Sequence, residues 1–181
     1  MTIMSLWLPI LASAVVVFIA GSVIWMAMPW HKPDWSKTPD EEAVRASLKS
    51  CEPGMYTVPN CRDQKQYAEP EMQQKLKEGP QAFITILPAG IPSMVPKLAL
   101  MFAYNVLVAV ICAYLLSRTV GASADYLTVF RVTGTVAFIA YGVAYVQESI
   151  WFGRSWSMTT KTFLDALIYA VLTGGVFGWL A

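Results

Sequence analysis

The chain is poor in the groups that carry chemistry. It has one histidine, three cysteines and only 14% charged residues among 181. His31 has no second histidine to work with, and Cys51, Cys61 and His31 lack the spacing of a metal site. There is no HExxH, no phosphate-cradling glycine loop and no nucleophile elbow. Charge of one dominant sign is also missing. Residues 30–97 hold nine of the thirteen Lys and Arg and nine of the twelve Asp and Glu, a balance that argues against a nucleic-acid track.

What the chain has is apolar sequence, at 56% of all residues. Four long stretches run over Leu6–Met28, Leu98–Ser117, Tyr126–Val146 and Phe163–Leu180. Each approaches the ~20 residues a helix needs to cross ~30 Å of hydrocarbon. The pattern predicts an all-α membrane protein, a four-transmembrane-helix bundle with a small α+β extramembrane cap between helices 1 and 2. Residues 1–29 form the first span, 30–97 the cap, and 98–181 the other three spans. The first stretch has no basic segment before it and is longer than a signal-peptide core of ~7–15 residues, so it is read as an uncleaved anchor. Most of the seven tryptophans fall near expected membrane interfaces.

Within the cap, Thr38-Pro39-Asp40-Glu41 has the form of a capping box and predicts a helix over Asp40–Lys49. Short strands are expected at Met55–Val58 and Gln81–Leu87, with a second helix over Glu71–Glu78 between them. The proline-rich run Pro88–Pro96 is expected to be irregular. Two strands alone are marginal, so the cap should lean on the helix ends or on a partner.

Sidedness is contested by two signals. Lys32, Lys37, Lys97, Arg154 and Lys161 lie near span ends on the cap side, which the positive-inside rule would place in the cytoplasm. Cys51 and Cys61 point the other way if they form a disulfide, which needs an oxidising compartment. The bridge and two separate thiols are both open. The expectation adopted is a multi-pass protein of a bacterial inner or intracytoplasmic membrane, with a periplasmic cap and cytoplasmic termini.

Polar groups in the spans are costly and mark candidate sites. They are Arg131, Gln147, Glu148 and Asp165. Arg131 is placed too far from Asp165 to pair with it, and is expected to meet the chain's C-terminal carboxylate or to snorkel. Asp165 is expected level with Gln147 and Glu148, paired with Lys161 one turn earlier. These residues form no chain of carboxylates across the membrane, as a proton relay would need. His31 is a candidate ligand for a haem or chlorophyll metal, set against a plain interfacial role; no metal site and no cofactor is assigned, and contact with pigment, haem or lipid has no sequence signal of its own.

Packing is better marked than chemistry. Ala166, Ala170, Gly174 and Gly178 recur at every fourth residue of the last span, with Gly134 and Gly142 on the third. Small residues let helices approach closely in lipid. This ridge suits internal packing or a partner subunit.

Trp30-His31-Lys32-Pro33-Asp34, the stretch Phe130–Gly142 (FRVTGTVAFIAYG) and Asp165–Trp179 (DALIYAVLTGGVFGW) resemble a class of small bacterial inner-membrane proteins with four spans. That class is similar in turn to the extra subunits of photosynthetic and respiratory membrane complexes. The resemblance assigns no functional residues; a bundle without chemistry, a cap too small to stand alone and many interfacial aromatics predict an accessory, non-catalytic subunit whose partners are other membrane proteins and lipids, with no nucleic acid. The rival expectations are a small transporter or channel using Arg131 or Asp165, and a lipid-acting enzyme built around His31.

Overall fold

The computed structural model describes residues 2–121 and 123–181. It is 72% helical, with four helices long and apolar enough to cross a membrane and one two-stranded sheet. The four are α1 (Ile3–Met26), α5 (Met94–Thr119), α6 (Tyr126–Trp151) and α7 (Trp156–Leu180). Between the first two come α2 (Glu41–Leu48), β1 (Gly54–Val58), α3 (Gln64–Ala68), α4 (Pro70–Glu78) and β2 (Ala82–Ile86).

The chain divides into two compact units, residues 1–35 with 93–181, and residues 36–92. The polar unit is therefore shorter at both ends than the expected 30–97. Residues 29–34 form a 3-10 segment that belongs with the long helices. Helix α5 starts at Met94, inside the proline-rich run, because Pro96 falls in the first turn, where a missing N–H leaves no bond unmade. Helix α7 begins at Trp156, seven residues before the expected start.

The long helices form a bundle in which α1 packs on α5 and α7, and α6 packs on α5 and most extensively on α7. The small-residue ridge explains that last contact. A Cβ on Gly134 would lie 3.3 Å from the Ala170 carbonyl oxygen, and one on Gly142 only 2.9 Å from the Ala166 Cβ. Gly174 and Gly178 sit equally close to Phe130 and Tyr126. Ala166 is fully buried and Ala170 nearly so. The ridge is consumed inside the bundle. Leu116, Cys112, Ala137 and Phe177, each 0% exposed, complete the core, while rows of Leu, Val, Ile and Met face outward.

Helix α6 is not regular throughout. Over Ile139–Val143 it widens into a π turn, a feature that often marks functional sites. Tyr104 of α5 donates its hydroxyl to the Ala140 carbonyl in that turn at 2.8 Å.

In the polar unit, β1 and β2 pair antiparallel with Tyr56 opposite Ile84. The helix count is three, not two, because α3 is a short turn capped by Asp63 that the sequence pattern did not mark. Helix α2 is capped by Asp40, whose Oδ1 accepts from Ala43 N–H at 2.9 Å, so the expected Thr38 capping box is not used. Among the described residues of this unit, Met72 alone is buried.

Candidate functional site

Ionisable side chains converge at one end of the bundle. The 3-10 segment Pro29–Asp34 opens on a proline, and in a 3-10 turn residues i and i+3 eclipse. His31 Nδ1 and Asp34 Oδ2 therefore meet at 2.8 Å. On α7, Lys161 and Asp165 share a face one turn apart. The two pairs cross: His31 Nε2 lies 2.8 Å from Asp165 Oδ2, and Lys161 Nζ donates to Asp34 Oδ1. The expected Lys161–Asp165 pair is thus replaced by two longer-range partners, which tie the exit of α1 to α7.

His31 is 6% exposed and Asp165 3%. The Trp25 ring stacks on the imidazole with centroids 4.1 Å apart and planes within 3°, and Trp30 meets it edge-on. Both ring nitrogens face carboxylate oxygens. A neutral imidazole donates from one nitrogen only, so the arrangement holds either an imidazolium between two carboxylates or a neutral ring beside a protonated carboxyl. In the first state His31 and the partly exposed Lys161 balance the buried carboxylates of Asp34 and Asp165. Burial on its own would raise the Asp34 carboxyl, but hydrogen bonds and positive charge from Lys161 and His31 hold it below the ordinary carboxylate value.

Next to this quartet is a cavity of about 320 Å³ lined by Asp165, Arg154 and the rings of Tyr104, Tyr141, Tyr145 and Tyr169. Tyr141 comes from the π turn. Arg154 is aimed by the end of α6. Gly153 adopts φ 70°, open to glycine at little cost, and the Arg154 N–H turns back to the Glu148 carbonyl at 3.2 Å. Its guanidinium then lies 4.5 Å over the Tyr145 ring, and Nη2 donates to Thr162 Oγ1 at 3.1 Å. Arg154 has no carboxylate partner among the described residues. Among the described residues four buried side-chain polar atoms lack a partner: Asp165 Oδ1, Arg154 Nε, Trp30 Nε1 and Asn105 Nδ2.

The other expected site residues are dispersed. Asp165 is ten residues into α7, deeper than the sequence pattern placed it. Arg131 is exposed on α6 without an ion pair among the described residues, and its charge is felt by the Asp125 carboxylate that caps the helix. Gln147 and Glu148 are exposed and take no part in the quartet. Cys51 and Cys61 are free thiols here, so the bridge weighed for them is not formed; Cys61 Sγ donates to the Asp63 carbonyl. Among the described residues no group of three His, Cys, Asp or Glu side chains is arranged to hold a metal. Both His31 nitrogens are occupied, which leaves no lone pair for a haem or chlorophyll metal in this arrangement.

Asp34 and Arg154 were the missed participants, while Lys161 was expected beside Asp165 and pairs with Asp34 instead. Asp34 had a local signal, since it stands three residues after His31 in a proline-bounded turn. Arg154 had none beyond its place beside a glycine. No family model matches this sequence, and neither a curated protein nor a solved structure is similar to it.

Proposed function

We propose that this chain is a multi-pass membrane protein without catalytic chemistry, serving as an accessory subunit of a larger assembly of respiratory or photosynthetic type. Its four long helices are the spans, and residues 36–92 are the extramembrane part that meets a partner. One observation carries the reading: a 57-residue unit (36–92) in which Met72 is the one buried side chain among the described residues. Such a unit gains little from its own core and is completed by contact with another protein. Leu87, just after β2, is more than half exposed, and Met55 is 78% exposed on β1.

The placement proposed is a bacterial inner or intracytoplasmic membrane, with residues 36–92 periplasmic and both termini cytoplasmic. The test is purification of the tagged chain in mild detergent. Stoichiometric membrane partners that are lost when residues 36–92 are replaced by a short linker support the reading. Recovery of the full chain as a lone monomer sinks it.

A transporter is the second reading, and the buried quartet favours it, because shared protons beside a cavity are what coupled transport uses. Those ionisable groups gather at one end of the bundle. A proton-coupled flux in proteoliposomes that Asp165→Asn abolishes would displace the subunit reading.

A further inference from the structure

The cavity beside the quartet is chemically unfinished. Asp165, 3% exposed, offers a buried carboxylate oxygen with no donor. Arg154 offers a buried N–H with no acceptor and a positive charge with no counter-ion among the described residues. Thr162 accepts from Arg154 Nη2 and lies three residues before Asp165 on α7, its position ~5–6 Å from that of Asp165, and all three residues line the same cavity. Asp165 asks for a hydrogen-bond donor and Arg154 for an anion.

The walls add two further constraints. Trp25, Tyr104 and Tyr169 line the cavity with Asp165, and aromatic walls favour a cation over a second anion there. A second recess of about 300 Å³ shares Trp25, Met101 and Tyr169 with the first, and runs between α1 and α5 along Val17, Phe18 and Leu98. That recess has apolar walls and suits an acyl chain. Trp25 and Trp35, 54% and 80% exposed, stand at the same end, as indole rings do at headgroup depth.

We propose that this cavity binds the head of a phosphatidylethanolamine-type phospholipid, its ammonium donating to Asp165 and its phosphate accepting from Arg154, with one acyl chain in the α1–α5 recess. The two-carbon bridge of the head spans a distance comparable to one helical turn. A primary ammonium can donate a hydrogen bond to a carboxylate oxygen, which a quaternary choline cannot. A glycerol head brings no positive charge to Asp165. The inference rests on the membrane reading but not on the subunit reading, since lipid binding is measured on the isolated chain.

The test uses the full chain, stripped of lipid by detergent exchange, with thermal unfolding followed while short-chain lipids are titrated. The expected result is a saturable rise in transition temperature with the ethanolamine lipid, at a concentration at least about tenfold below that for choline or glycerol lipids. Arg154→Gln should raise that concentration about tenfold, read against the variant's own lipid-free transition, because the guanidinium's hydrogen bond to Thr162 and its stack on Tyr145 are lost as well. Asp165→Asn should erase the preference for ethanolamine over choline. If that variant does not fold, Arg154→Gln and the lipid panel still decide. Equal binding of the three lipids, binding of glycerophosphoethanolamine as tight as that of the lipid, displacement by a short-tailed quinone, or an unaffected Arg154→Gln each overturns the proposal.

Discussion

The crossing of Asp34 with Lys161, and of His31 with Asp165, gives a quantitative prediction. Asp34→Asn keeps the side-chain shape and removes one charge. Breaking a fully buried ion pair costs about 3–5 kcal/mol. Here the discount is real: the Asp34 side chain is 4% exposed but Lys161 is 21% exposed, and its ammonium can turn towards water. The expected loss is therefore about 2 kcal/mol. For a chain of this size that lowers the unfolding midpoint by about 4–8 °C. The assay is thermal unfolding in one detergent, read by retained monodispersity after heating. Lys161→Gln should cost a similar amount, and the double variant should cost clearly less than the sum, with a coupling above about 1 kcal/mol. Lys75→Gln, which breaks an exposed 2.6 Å pair with Glu71, is the control and should leave the midpoint unmoved. Additive losses in the cycle, or single variants that shift the midpoint by less than about 1 °C, would refute the idea that this clasp holds α1 to α7.

Three other outcomes follow from the packing and the titrating groups. Gly174→Ala should destabilise the bundle by about 1–3 kcal/mol, because the new methyl meets the Phe130 ring and carbonyl oxygen at 2.9 Å; Gly175→Ala, with only the Tyr126 hydroxyl at 3.8 Å, should be tolerated in the same melt. The Asp34 carboxyl is held below its ordinary value near 3.8, facing Lys161 and His31 with Asp165 beyond. Its contribution is thus complete above that value and is lost as pH falls through the lowered folded one. Melting at stepped pH between neutrality and about 3 should show the loss, and Asp34→Asn should flatten that limb. With a maleimide on unreduced protein, Cys51 and Cys61 should both label, whereas Cys112, 0% exposed, should label only after denaturation. Protection of the first pair until reduction would mean the bridge forms after all.

The four long helices could be read directly because hydropathy is a property of a segment, needing no partner. Their ends could not. Helix α7 begins at Trp156 because Ser155 accepts from the Met158 N–H, and the polar residues Ser157, Thr159, Thr160 and Lys161 sit in its first turns before the apolar run starts. Hydropathy ignores such turns, and so Asp165 looked like a first-turn residue when it lies ten residues in. The same limit hid α3, whose five residues have an Asp63 cap but no apolar stripe. The ridge of Ala166, Ala170, Gly174 and Gly178 was visible as a pattern, but its occupant was not. The facing Tyr126, Phe130, Gly134 and Gly142 show that α6 fills it.

The quartet illustrates a different limit. His31 and Asp165 are separated by 134 positions, and no local rule pairs them. A neighbour four residues away is the cheap assumption for a lone carboxylate, and Lys161 was the obvious candidate. The fold rejects it because Asp34 and His31 arrive on the same spot, allowing both carboxylates a positive partner where the local pair would have satisfied only one. Even so, the polar account does not close. Asp165 Oδ1 and Arg154 Nε stand in the cavity walls, Trp30 packs edge-on to His31, and Asn105 bonds the cavity's Tyr141. Each unmet buried group costs about 1–3 kcal/mol. A bundle shaped only for its own cohesion would spread such defects or remove them. Two of the four, Asp165 Oδ1 and Arg154 Nε, belong to the walls of one cavity beside a π turn, the arrangement expected when an external molecule supplies the missing partners.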